Sequence, residues 1–254
     1  MKRKTLDYRK TARIVGILYI IGTLAGVLSV QFLKIRNEPD LFAAMAGNPG
    51  YLETGAVLTL IMGVALALIP VLMFPILKEY NEALGVGYIV FRSALETGLY
   101  ITQAICVLAL SSLNAAYTSA SPGAAFASAG QEMLTGAGAA NATGGVEPLI
   151  GAGAALKALT DASVTPFIFG AGALIFYFAL YKYRLIPRWL SAFGLAAILL
   201  HIVSGALVLY GLQRAFDAGS LVMNMPIAVQ EMVMAVWLIV KGFTGAASEP
   251  ARYD

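Results

Sequence analysis

Six long apolar runs alternate with short polar segments along this chain, at about 14–33, 52–77, 86–110, 163–181, 189–211 and 222–240. Each is roughly 20 residues long, enough at about 1.5 Å per residue to carry a helix across a hydrocarbon core of about 30 Å. The short connections are KIRNEPDLFAAMAGNPG, KEYNEALG, YKYRLIPRWLS and RAFDAGS, and KGF precedes a polar tail. The pattern predicts an all-α fold, a polytopic transmembrane helix bundle of six spans forming one domain over 1–254. Pro70 and Pro75 fall near the far end of the second run and predict a kink there.

Two stretches need separate reading. Residues 1–13, MKRKTLDYRKTAR, hold six Lys/Arg against one Asp ahead of the first run. A secretory signal has that layout too, but this run exceeds the usual signal core and no A-x-A-like site follows. It is read as an uncleaved first span. Residues 114–160 are rich in Ala, Gly, Ser and Thr and contain no Lys or Arg before Lys157. They predict an outer Ala/Gly-rich loop with short helical turns at 124–135 and 147–159, its length leaving a lid role open. Its sequon, Asn141-Ala142-Thr143, matters only in a eukaryotic secretory pathway.

Composition agrees with the pattern. The chain is 59% hydrophobic and 12% charged, with a mean hydropathy of +0.78. Soluble domains carry about 25% charged residues, so an integral membrane protein with the lipid bilayer as its main partner is expected. The net charge of +3 is gathered at a few sites rather than spread as a basic surface, which excludes nucleic acid as a partner. Cys106 is the only cysteine, so neither an internal disulfide nor a cysteine metal site can form, and it reads as a small buried hydrophobe.

Charge placement sets a direction. With the amino terminus inside, the inner side holds twelve cations: Lys2, Arg3, Lys4, Arg9, Lys10, Arg13, Lys78, Lys182, Arg184, Arg188, Lys241 and Arg252. The outer side holds Lys34, Arg36, Lys157 and Arg214, and Arg92 lies within the membrane. The positive-inside rule therefore predicts both termini cytoplasmic, with Trp189, Tyr181, Tyr183 and Phe243 as an inner aromatic belt.

The third run is the odd one, because it carries Arg92 and Glu96 deep inside apolar sequence. Four residues apart on a helix, they share a face and can pair. At about 1.5 Å per residue, Glu96, His201 and Glu231 fall near one level on spans three, five and six, with Arg92 one turn nearer the cytoplasm. Gln230, Gln103, Tyr100 and Ser204 are candidates to line the same region. Intramembrane charges are costly and mark function by default.

One reading is a polar ligand or proton site. Arg92 neutralises Glu96, Glu231 or both, His201 donates or accepts a proton, and two acids against one arginine leave one carboxyl free to titrate. The other reading is a clamp locking spans three, five and six together, with His201 a neutral core histidine. Glu53 and Asp161, at outer helix ends, read as solvated acids. The sequence contains no G-x-x-x-x-G-K-[ST], H-E-x-x-H or G-x-S-x-G motif, and one histidine cannot build a multi-histidine iron or zinc site. A mixed site of His201, Glu96 and Glu231 stays open, but nothing requires a metal or any cofactor. Gly22/Gly26 and the stretch Gly170 to Leu174 read as close helix packing. Six spans also divide as three plus three, with a mid-depth acid on the third helix of each half, so an inverted repeat is open.

TARIVGILYIIGTLAGVLS at 11–29, FRSALETGLYI at 91–101, FYFALYKYRLIPRWLSAFGL at 176–195 and PIAVQEMVMAVWLIVKGF at 226–243 together resemble the bacterial domain-of-unknown-function family numbered 4386. The resemblance covers nearly the whole chain. Its pattern falls on Arg92 and Glu96, on Leu185, Ile186, Pro187, Arg188, Trp189 and Leu190, and on Pro226, Glu231, Trp237, Lys241, Gly242 and Phe243. It implies a multi-span bacterial inner-membrane protein and assigns no activity. Three functions stay open in this order: a small-molecule or proton-linked binding or transport module, an intramembrane enzyme acting on a lipid or isoprenoid through His201 and a carboxylate, and a structural subunit. A small-molecule or lipid ligand and a homo-oligomer are the partners in view.

Overall fold

The computed structural model describes residues 8–120, 147–161, 164–215 and 217–244. Helix α1 (Tyr8–Leu33) leads through a 3-10 turn to a short α2 (Leu41–Gly47), whose first turn is capped by the Asp40 carboxylate accepting from the Ala43 amide at 2.9 Å. Helix α3 (Tyr51–Tyr80) follows. The third pass is one continuous rod made of α4 (Glu82–Tyr88), a π-helical segment (Ile89–Glu96) and α5 (Thr97–Ala120). After α6 (Glu147–Asp161) come α7 (Thr165–Lys182), α8 (Arg188–Leu209) and α9 (Ala218–Val240). Among the described residues there is no strand, and six helical stretches are long and apolar enough to cross a membrane.

Each pass packs against the pass before it and the pass after it, and α9 closes the ring on α1. Hydrocarbon offers no hydrogen bonds, so every backbone group must be satisfied within its own helix. The ring's outer surface is accordingly aliphatic, with Ile17, Val64, Leu199 and Val222 exposed. Its interior holds aromatic and polar side chains, including Tyr19, Tyr88, Phe176, Tyr177, Arg92 and Glu96.

One end is tied by the Tyr8 hydroxyl donating to Glu79 at 2.7 Å, by Tyr80 stacked on Tyr183 at 4.7 Å, and by the Thr244 amide donating to the Leu185 carbonyl at 2.8 Å. This end carries Lys78, Lys182, Arg184, Arg188 and Lys241. The opposite end is held by Phe42 stacked on Tyr117 at 4.3 Å and by the Asn37 amide donating to the Ala215 carbonyl.

Several expectations change in detail. Helix continues from the third pass to Ala120, into the anticipated 114–160 loop, as its alanine content favours, and Glu147–Asp161 is helical where turns at 147–159 were expected. The turns expected at 124–135, the sequon, Lys2, Arg3, Lys4 and Arg252, and the side chain of Asp161 lie outside the described residues. Phe243 is not part of an aromatic belt: it is 6% exposed and packs in the core, whereas Trp189 is 59% exposed. Pro70 and Pro75 sit inside α3, and the Ser93 hydroxyl donates to the Ala67 carbonyl at 2.7 Å, in the turn where Pro70 removes a backbone donor. Cys106 is half-buried.

Small residues allow the close approaches. A Cβ added at Gly22 would meet Leu66 at 2.7 Å, one at Gly26 would meet Met62 at 2.7 Å, and one at Gly170 would meet Ile202 at 2.6 Å. Gly16 sits where α9 closes on α1, and a Cβ there would lie 2.6 Å from the Ala235 carbonyl oxygen. Backbone cannot swing aside as a side chain can. Gly16→Ala is therefore expected to lose about 1–3 kcal/mol of stability through overpacking. Gly98→Ala, where an added Cβ meets nothing within 4 Å, should be neutral or stabilising by up to about 1 kcal/mol. Unfolding titrations of the two purified variants in mixed micelles read the contrast directly.

Candidate functional site

The site is centred on the π-helical segment of the third pass. Helical segments with i→i+5 pairing are rare and often mark functional positions. Arg92 and Glu96 both lie in this segment and both point into the ring, at 2% and 0% exposure. Gly172 of α7 makes room for it, since a Cβ there would stand 3.3 Å from the Phe91 Cβ and 3.5 Å from the Arg92 amide nitrogen.

The Arg92 guanidinium serves two carboxylates. Its Nη1 donates to Glu96 Oε1 and Oε2, each at 3.2 Å, and its Nη2 donates to Glu231 Oε1 at 3.3 Å. The remaining carboxylate valences are filled by hydroxyls. Tyr100 donates to Glu96 Oε1 at 2.7 Å, and Thr23 donates to Glu231 Oε2 at 2.9 Å. All four carboxylate oxygens are thus hydrogen-bonded. The guanidinium carbon of Arg92 lies over the Phe169 ring, 4.5 Å from its centroid, and Arg92 Nε is buried with no hydrogen-bond partner among the described residues. Beside the cluster, on the side of the basic end, the Tyr19 and Tyr88 hydroxyls meet at 3.2 Å.

The expected site residues separate into those that meet and those that do not. Arg92, Glu96, Glu231 and Tyr100 converge as their depth suggested. His201 does not join them: its Nδ1 lies 2.8 Å from Asn224 Oδ1, and its ring packs T-shaped on Phe169 at 4.9 Å between centroids. The anticipated acid–base pair of His201 with a carboxylate is not assembled, nor is a mixed His201, Glu96 and Glu231 metal site. Among the described residues no group of three metal-ligating side chains occurs.

Gln230 also faces elsewhere, accepting from the Tyr177 hydroxyl at 2.6 Å and donating to the Leu190 carbonyl at 3.2 Å. Gln103 and Ser204 make no hydrogen bond to the cluster among the described residues. The helices joined through the carboxylates are passes one, three and six, rather than three, five and six as anticipated. Pass five comes to the cluster's edge at His201, whose ring packs on Phe169 of pass four.

Thr23, Phe169 and Asn224 went unremarked in the sequence. Thr23 and Asn224 are polar residues inside apolar runs, the same signal that singled out Glu231. Phe169 gives no signal, because an aromatic residue in an apolar span is ordinary.

The profile described as "Domain of unknown function (DUF4386)" matches residues 14–242, a range that contains every residue of this cluster. The chain belongs to the DUF4386 family. No curated protein and no solved structure shows a significant match to it. This DUF4386 chain is a multi-pass integral membrane protein whose described residues place an arginine and two glutamates in the centre of a six-helix ring.

Removing one partner from a buried ion cluster leaves an uncompensated charge. Arg92→Met is expected to cost about 3–5 kcal/mol. A triple variant with Met or Leu at 92, 96 and 231 should recover most of that loss, because apolar groups of similar volume can replace a buried ion network. Thr23→Val should cost about 1 kcal/mol, one hydrogen bond to a carboxylate. Detergent unfolding of the variants side by side checks the order.

Proposed function

We propose that this protein is a proton-linked binding or transport module of a bacterial inner membrane, with Arg92, Glu96 and Glu231 as its proton site. The observation that carries the reading is an imbalance. All four carboxylate oxygens accept hydrogen bonds, yet two carboxylates share one cation, leaving one excess negative charge at a depth without water. Such a charge in a low-dielectric interior is costly, and taking up one proton removes it.

Glu231 is the better carrier of the two. Its side chain is 10% exposed whereas that of Glu96 is fully enclosed. Its hydroxyl partner Thr23 can donate to an ionised carboxylate and accept from a protonated one. The basic end, with Lys78, Lys182, Arg184, Arg188 and Lys241, faces the cytoplasm in this reading, placing both termini there.

A second reading, a structural clamp within an accessory subunit, draws support from the complete pairing of the four carboxylate oxygens. Infrared spectroscopy separates the two. At neutral pH the native chain should show one deuterium-sensitive band from a protonated carboxyl. Both Glu96→Gln and Glu231→Gln should lose it, because either change leaves one carboxylate balanced by Arg92. A native spectrum without that band would leave the clamp as the account of the cluster.

A further inference from the structure

We propose that His201 and Asn224 form a binding site for the hydroxyl group of a lipid-soluble alcohol, on the membrane-facing seam between α8 and α9. The inference stands on this seam alone and does not require the ion cluster to carry a proton. The two side chains meet at 2.8 Å, and each is partly exposed. They sit roughly 9–12 Å inward from the helix ends at Leu209 and Ala218, counting about 1.5 Å per residue. The surface around them is aliphatic: Leu200, Val203, Leu221 and Met225 are 37–59% exposed. The pair therefore opens onto hydrocarbon rather than water.

Hydrogen-bond counting then defines the occupant. If the His201 Nδ1–H donates to Asn224 Oδ1, the imidazole Nε2 remains an acceptor and the Asn224 amide a donor. If the amide is turned round, so that it donates to Nδ1, the Nε2–H remains a donor and Oδ1 an acceptor. Either arrangement leaves the pair with an unused donor on one side chain and an unused acceptor on the other. Neither side chain has another hydrogen-bond partner among the described residues.

An unpaired polar group in hydrocarbon costs several kcal/mol. Lipid tails offer it nothing, and lipid ester carbonyls accept without donating. An alcohol hydroxyl does both, and its apolar chain suits the aliphatic wall. The site also adjoins the ion cluster, since Phe169 packs T-shaped against His201 and lies under the Arg92 guanidinium. An occupant's hydroxyl would be one ring away from the guanidinium.

His201 is the only histidine in the chain, so nitrogen NMR of histidine-labelled protein reports on this imidazole alone. The full chain in micelles would be titrated with hexadecanol and, separately, with its methyl ether, which accepts but cannot donate. Hexadecanol should shift the Nε2 resonance saturably and the ether should not. Asn224→Ser should weaken the hexadecanol response about tenfold, the scale of one lost hydrogen bond, while cooperative thermal unfolding is retained. No shift, equal shifts with both probes, or an unchanged response in a folded Asn224→Ser protein would each overturn the site. Should Asn224→Ser fail to fold, the alcohol-against-ether comparison on the native chain decides alone.

Discussion

A single guanidinium shared between two carboxylates sets the terms for the rest of this bundle. Arg92 cannot lose its charge, and at 2% exposure it cannot reach water. The structure answers by bringing an acid from its own helix and an acid from the last helix to opposite ends of the fork, and by backing each acid with a hydroxyl. Those contacts need passes one, three and six in close register. Gly16 lets α1 close on α9, while Gly172 lets the fourth pass, α7, press against the π-helical segment from the other side. Interhelical hydrogen bonds in membranes are individually modest, averaging well under about 1 kcal/mol. The cluster's influence comes from the penalty on leaving any member unpaired, more than from the strength of any one bond.

What the sequence revealed and what it hid divide along a physical line. Span number and approximate bounds follow from hydrocarbon thickness and helix rise, which depend on composition alone. Depth follows from counting along each span, so Arg92, Glu96 and Glu231 could be placed at neighbouring levels before any contact was known. Helix rotation cannot be counted in the same way. Gln230 and Glu231 are adjacent in sequence, yet about 100° apart around α9, and only Glu231 faces Arg92. His201 matched the level of Glu96 and still turned towards Asn224 on the outer seam. The π-helical segment was equally hidden, because its apolar pattern reads as ordinary α-helix.

Phe169 separates two polar environments with different requirements. On one side is a closed, charged cluster whose carboxylate oxygens are all hydrogen-bonded. On the other is a neutral pair with bonding capacity to spare, opening onto the aliphatic surface. The ring presents its face, the negative side of the aromatic quadrupole, to the cation and packs T-shaped against the imidazole.

The sequence separation within the cluster also has a consequence for how the protein is made. Arg92 and Glu231 are 139 residues apart, while Arg92 and Glu96 are four apart. At about 5–20 residues per second of synthesis, roughly 7–28 s pass between the emergence of Arg92 and that of Glu231. During that interval the third pass can enter the membrane as a self-neutralised unit, its arginine already matched by Glu96. The sixth pass then brings a second acid to a guanidinium that is already partnered. The order of synthesis thus lets the cation be buried with a local partner first, and lets the excess negative charge enter only with the helix that closes the ring.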